Sequence, residues 1–278
     1  MGRVAGLGIG FLLMLVTLPQ WCLAESSPAA SVPVRIALIM DDMGYRKGAG
    51  EAALALPGKI TYAFLPQTPY AWDQAIRAHE LEKEVILHLP MESDLGNPLG
   101  EGALTLNMSR QEFVRTLTRS LASVPYVAGV NNHMGSLLTR DPTAMRWLMS
   151  SLREQGLYFI DSRTTEQTVA ERVARAQRVA TARRHVFLDY IQDEQVVREQ
   201  FGKLIDTARL QGSAIGIGHP YPETLAVLAQ ELPKLEAEGI ELVPASALTN
   251  TGSALWHASS SPLPKAAKNS KPSLSPIY

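Results

Sequence analysis

Short, nearly continuous apolar runs recur along this chain and alternate with stretches of helical periodicity. The runs are Val34–Met40, Ile60–Leu65, Val85–Leu89, Tyr126–Val130, Leu157–Ile160, Val186–Leu188, Ala214–Ile217 and Ile240–Val243. A strand with one wet face would alternate polar and apolar residues. An unbroken run reads as a strand buried on both faces, as in a parallel sheet. The helical stretches carry their own end signals. Ser109-Arg110-Gln111-Glu112 is a capping box ahead of Phe113, Leu117 and Leu121. Asp141-Pro142 supplies an N-cap and a first-turn proline, and Gly156 a stop. Asp193 and Gly212 bracket another helix, and Pro222 opens one that runs towards Gly239. Parallel strands need crossover connections. The pattern therefore predicts a single-domain α/β fold: a distorted (β/α) barrel of seven or eight parallel strands. An open, doubly wound sheet is the alternative.

The chain has 278 residues, 46% hydrophobic and 19% charged, which is ample for a core and excludes general disorder. A net charge of −1 gives no field for gripping nucleic acid. The ends differ from the body. Residues 1–24 read as a signal peptide: Arg3, an apolar run from Val4 to Val16, then Cys22-Leu23-Ala24 at a cleavage site. An uncleaved anchor is the other reading, but the run is short for a span of ~20 residues. Residues 25–32 form a linker, 33–250 the barrel and 251–278 a disordered tail rich in Ser, Pro and Lys. The expectation is an exported bacterial protein, periplasmic or secreted, with no stable membrane span after cleavage. Cys22 is the sole cysteine and would leave with the signal, which suits an oxidising compartment. Any metal must then be held by His, Asp or Glu.

In parallel α/β folds the chemistry gathers at the carboxyl ends of the strands. Asp41 and Asp42 follow the first run, and His88 ends the third. Asn131, Asn132 and His133 follow the fourth, Asp161 the fifth, Asp189 the sixth and His219 the seventh. Adjacent carboxylates repel unless a cation lies between them. One as metal ligand and the other as base is the natural division. Asp42, His88 and His133 make a three-ligand set for zinc or a similar ion, with one position left open. Glu92, four residues after His88, is the rival third ligand. His219, between glycine and proline, suits a general acid or a ligand. Each residue alone also reads blandly, as a helix cap or a core histidine. Their convergence on one face favours a site. His79 and His185 read as surface residues, and Trp72 and Trp147 as helix packing. An aromatic content of 6% is low for a sugar cleft, and no basic anion site is evident.

These strand-end segments resemble the divergent polysaccharide deacetylase family. They are Ala37–Gly44, Val85–Met91, Gly129–Ser136, Phe159–Ser162 and Ile215–Pro220, in that order. The resemblance implies a distorted (β/α) barrel, a divalent metal, most simply zinc, and a polysaccharide or oligosaccharide substrate. It implies that Asp41 is the catalytic base, that Asp42 binds metal with two histidines, and that His219 protonates the leaving amine. Asn132, Asp161, Asp189 and Glu92 are then supporting or substrate-facing groups, with Asp161 or Asp189 orienting a histidine. The sequence departs from the usual pattern in two places. Glu92 stands where a second histidine is expected, and Asn131–Gly135 replaces an Arg-Pro-Pro-Tyr segment. His133 would then supply the missing ligand from another strand. A non-catalytic envelope binding or scaffold protein on the same barrel is the competing reading, and another metal hydrolase a second.

Overall fold

The computed structural model describes residues 1–2 and 33–250. Residues 3–32 and 251–278, with nearly all of the signal segment, the linker and the tail, lie outside the described residues. Nine strands form the sheet: β1 (Val34–Met43), β2 (Thr61–Phe64), β3 (Glu84–Met91), β4 (Val127–Met134), β5 (Tyr158–Asp161), β6 (Thr181–Arg183), β7 (Val186–Phe187), β8 (Ser213–Gly218) and β9 (Ile240–Leu242). Every pairing between these strands is parallel, in the order β6-β5-β4-β3-β2-β1-β8-β7, with β9 beside the first half of β1. Strands β6 and β7 stand at opposite ends of this order, yet only Arg184 and His185 separate them in the chain. The Arg184 N–H donates to the Asp161 carbonyl on one side, and the His185 N–H to the Ile215 carbonyl on the other, both at 2.9 Å. One broken strand thus draws the curled sheet into a distorted barrel.

His185 corrects the sequence reading. It is not a surface residue but part of this seam, where its Nδ1 accepts the Ile215 N–H at 3.0 Å. Strand β6 was not legible, because Thr181-Ala182-Arg183 is too short and too polar to stand out. Strands β1, β3 and β4 run past their apolar cores, so they carry the site residues on their last turns of pleat.

Seven helices cover the sheet: α1 (Lys47–Leu54), α2 (Ala71–Glu80), α3 (Arg110–Ala122), α4 (Pro142–Glu154), α5 (Ala170–Ala176), α6 (Glu194–Gln211) and α7 (Pro222–Glu231). The end signals act as expected. Ser109 and Glu112 close both halves of a capping box. Asp141 accepts from the Thr143 and Ala144 amides, and Asp193 from those of Gln195 and Val196. Each such cap stabilises by about 1 kcal/mol. Gly212 ends α6 at φ +82°, a left-handed turn that costs glycine little. Trp147 packs edge-on against Phe113 between α3 and α4, 5.7 Å apart. No helix among the described residues is long and apolar enough to cross a membrane.

Strand side chains alternate between two cores. On β1, Ile36, Leu38 and Met40 join the large core beneath the helices, while Ala37 and Ile39 join a smaller one inside the barrel. Ala63, Ile86, Ile160, Ile215 and Ile217 complete that inner core. Its floor is a polar plug: Glu84 Oε2 accepts from Thr61 Oγ1 and Tyr158 Oη, each at 2.8 Å, and from the Ser246 amide at 3.2 Å. Gly129 leaves room for the Tyr158 ring; a Cβ there would lie 2.6 Å from ring carbons. Gly129→Ala is therefore expected to destabilise the chain by about 1–3 kcal/mol, the cost of overpacking. A lower urea midpoint at unchanged slope would report it.

Candidate active site

The inner face continues upward into polar residues. After Ala37 and Ile39 comes Asp41; after Ile86 comes His88. Asn131 and His133 follow Gly129, and His219 follows Ile215 and Ile217. Asp41, His88 and Asn131 are buried, and His133 and His219 are partly covered. Asp42 should face outward by the same count. Instead it sits at φ +55°, where the β1–β2 register slips between Met40 and Met43. This left-handed kink brings both carboxylates to the same side. It costs a non-glycine residue roughly 1–3 kcal/mol, and aspartate tolerates it better than most. Met134 and Arg163, at the ends of β4 and β5, share that conformation.

Three ligand-type atoms converge there. Asp42 Oδ1 lies 3.2 Å from His88 Nε2 and 3.1 Å from His133 Nδ1, and the two nitrogens are 3.1 Å apart. Asp42 Oδ1 is buried, yet no hydrogen bond of good geometry reaches it. Asn131 fixes the protons around it. Its Nδ2 donates to Asp41 Oδ1 at 2.8 Å, so its Oδ1 must accept, and His88 Nδ1–H donates to it at 2.8 Å. His88 Nε2 is then left as a lone pair aimed at Asp42 and His133. Lone pairs so close need a proton or a metal ion among them. Tetrahedral zinc, with bonds of about 2.0–2.2 Å, would set its ligands ~3.3 Å apart. The donor set and its spacing fit a divalent ion of that kind.

His219 stands on the other side of Asp42, its Nε2 3.8 Å from Asp42 Oδ2. Its Nδ1–H donates to Asp189 Oδ1 at 2.9 Å. Asp189 is buried, and its other oxygen accepts from the His219 amide at 2.6 Å and Thr224 Oγ1 at 2.7 Å. Phe187 and Tyr221 flank the imidazole ring, with centroids 5.5 and 5.2 Å away. The ring is thus locked, with Nε2 facing the cavity.

The charges follow from these contacts. Burial raises the Asp41 carboxyl above its usual range, against the pull of His88 and His219. Burial would also raise Asp42, but His133 and His88 outweigh it and hold that carboxyl well below the usual range. For His88, burial opposes the proton, while Asp41 and Asp42 carry the imidazole above its ordinary value. His219 is opposed by burial in the same way, yet Asp189 pushes it from 6.5 up to about 9. The folded, metal-free chain therefore holds this proton more tightly than the unfolded chain. That stabilisation is full below pH 6.5 and is lost as pH rises to about 9. It amounts to about 3 kcal/mol across the window. Urea unfolding in chelator is expected to show stability falling over that range, and His219→Gln to flatten the fall.

The structure brings together Asp41, Asp42, His88, His133, His219 and Asp189. It does not bring Glu92 to them: Glu92 Oε2 accepts the Leu106 amide and ties down the 104–106 loop. Asp161 does not orient a histidine. Its carboxylate accepts from the Arg163 amide and Thr168 Oγ1 in the turn after β5. Asn132 lines the cavity, but its amide is committed to the Met134 carbonyl and the Ser162 N–H. Asn131, named at the end of the fourth run but given no role, joins Asp41 to His88, and Arg184, which was missed, lies on the cavity wall. Trp72 corrects the sequence reading too: it is exposed, as are Tyr45, Tyr70 and Tyr190, and all four follow β1, β2 or β7 on the face where the strands end.

The model of a family described as divergent polysaccharide deacetylase matches residues 38–249. The uncharacterized protein YibQ of Escherichia coli is 42% identical over 228 residues, covering 82% of this chain and 70% of that protein. An uncharacterized protein of Haemophilus influenzae is 38% identical over 209 residues, covering 75% of this chain and 74% of its own. The crystal structure of an uncharacterized protein from Agrobacterium tumefaciens superposes with a TM-score of 0.75 at 24% identity, over 79% of this chain and 91% of that one. That likeness shows the same fold. With the family match running from β1 past β9, the chain belongs to the divergent polysaccharide deacetylases.

Proposed function

We propose that the chain is an exported, metal-dependent hydrolase that removes acetyl groups from an envelope or extracellular polysaccharide. One observation carries this reading: a held base and a held acid flank a three-ligand cluster at one end of the barrel. Asp42, His88 and His133 would hold the divalent ion, zinc in the first place. Bound there, it supplies Lewis acidity to water and to the acyl carbonyl. Asp41 takes a proton from the attacking water. Its raised proton affinity suits that task, and Asn131 keeps its Oδ1 oriented. His219 gives its Nε2 proton to the departing amine, which cannot leave as an anion. Asp189 keeps the ring in the required tautomer and stabilises its charged form. Tyr45, Tyr70, Trp72 and Tyr190, exposed beyond the ends of β1, β2 and β7, offer faces on which sugar rings stack, which supports a polymeric substrate.

The deciding experiment loads the chain with zinc and measures acetate release from acetylated amino-sugar oligomers and from acetyl esters. Release that disappears with chelator and returns with zinc is expected. A chain that binds zinc yet releases acetate from none of them would reject the hydrolase reading and leave a non-catalytic envelope barrel. Mass analysis of the exported chain, with cleavage after Ala24 expected, checks the location.

A further inference from the structure

The cavity wall formed by the ends of β5 and β6 carries positive charge that the mechanism above does not use. Ser162, Arg163, Thr164 and Arg184 line the same cavity as Asp41, His88, His133 and His219. Arg184 is fixed in place. Its Nε donates to the Ser162 carbonyl at 2.6 Å and its Nη2 to the Arg163 carbonyl at 2.8 Å, with its guanidinium 5.2 Å over the Phe187 ring. Two of its five N–H groups are thereby committed, and no carboxylate lies within ion-pair distance among the described residues. Arg163 beside it has no carboxylate partner at that distance either; Asp41 and Asp161 favour the Arg184 charge from further away, and Arg163 opposes it. Ser162 Oγ is buried with no hydrogen-bond partner at all. Asp161 builds the turn that presents these groups, by accepting the Arg163 amide at 2.9 Å. Two guanidinium groups without an ion-pair partner and an orphaned hydroxyl on one wall make a receptor for an oxyanion, and the free Nη edge of Arg184 matches a carboxylate.

The cavity holds about 400 Å³, and Ser162, Arg163 and Arg184 line it together with Asp41 and His219. A single sugar unit can carry both an anion for this wall and an acyl group for the acid and base. Resting on the deacetylase reading, we propose that the substrate is an acidic acylated amino sugar, whose own carboxylate is held by Arg163, Arg184 and Ser162. Neutral acylated sugars then lack the group that this wall is built to pair.

The test is binding to the full chain in chelator, where nothing turns over. The probes are N-acetylglucosamine, N-acetylmuramic acid, which carries its carboxylate on the 3-O-lactyl arm, and N-acetylglucosaminuronic acid, which carries it at C6. At least one acidic sugar is expected to bind about 10-fold tighter than the neutral one, and which one tells where the carboxylate sits. The preference should weaken with added salt. It should fall to within about twofold in Arg163→Gln and drop part of the way in Ser162→Ala, neither of which removes a contact that holds the seam. Equal binding of all three, no binding of either acid, or a preference that survives Arg163→Gln would overturn the proposal. Zinc-loaded acetate release separates the two readings. An acid preference in binding without acetate release keeps the anion wall and rejects the deacetylase. Faster release from the neutral sugar keeps the deacetylase and rejects the wall.

Discussion

Zinc affinity is expected to fall by at least about 100-fold when Asp42 becomes asparagine. Losing a partner that merely orients a ligand costs 10–100-fold, so losing a charged ligand costs more. Asparagine is the informative replacement. Asp42 sits at φ +55°, which asparagine adopts readily and alanine does not, so the backbone kink survives and the loss can be assigned to charge. Among the described residues this carboxylate is the only anion against both imidazoles at 3.1–3.2 Å, and an amide oxygen neutralises nothing. Asn131→Ala tests the layer behind. Without the Asn131 Oδ1, His88 Nδ1–H loses its acceptor, and a 10–100-fold loss of zinc affinity is expected. Competition against a fluorescent chelator reads both values. Unchanged affinity in Asp42→Asn would remove Asp42 from the ligand set, and with it the metal site argued here. The metal-free variant should also change stability. In the native chain the low proton affinity of Asp42 depends on His88 and His133. Removing the anion takes from the buried His88 imidazole one of the charges that raise its proton affinity.

Much of this site was legible from strand parity, and the misplacement of Asn132 and Asp161 has one cause. Strand ends were read as places rather than as directions. Counting in twos from the small inner-face residues separates the groups correctly. Ile39 leads to Asp41, Ile86 to His88, Gly129 to Asn131 and His133, and Ile217 to His219. The same count turns Asn132 and Asp161 away from the centre, and both are found engaged in local turns. Asp42 is the exception that no count finds. Its inward aim depends on a positive φ that a non-glycine residue adopts only where its surroundings enforce it. The chain order of the strands was also legible, since buried parallel strands announce themselves as apolar runs. The closing strand was not, because Arg184 and His185 bond outward to β5 and β8 through backbone groups that any sequence possesses. Arginines beside a polar tripeptide read as surface charge. Only the closed seam shows that Arg184 faces the cavity. Glu92 illustrates the limit of spacing. Four residues after His88 on a helix it would share a face, but the chain here is a strand end and a loop, and the side chain turns to the Leu106 amide.

Turnover by the zinc-loaded chain is expected to drop about 100- to 10,000-fold in Asp41→Asn, the range that a positioned general base contributes. The substitution preserves shape. The introduced amide can still accept from Asn131 Nδ2, so His88 keeps its orientation and zinc stays bound. What disappears is a buried carboxylate whose proton affinity burial has raised, which is the property that lets it take a proton from water near neutral pH. The loss should therefore fall on kcat, with KM changed only a few-fold, since the residue acts on the proton and not on the sugar. The acid limb of the pH profile should go with it, while the alkaline limb set by His219 remains. His219→Gln is expected to do the reverse and to lose most with amide substrates, whose leaving amine needs the proton. Ester substrates, with a better leaving group, should lose less. A variant of Asp41 that kept full kcat with zinc bound would place the base elsewhere in the cavity. With Asp42 assigned to the metal in the proposed mechanism and Asp189 bonded to His219, no other carboxylate at the centre stands free to serve among the described residues, so that result would count against the hydrolytic mechanism itself.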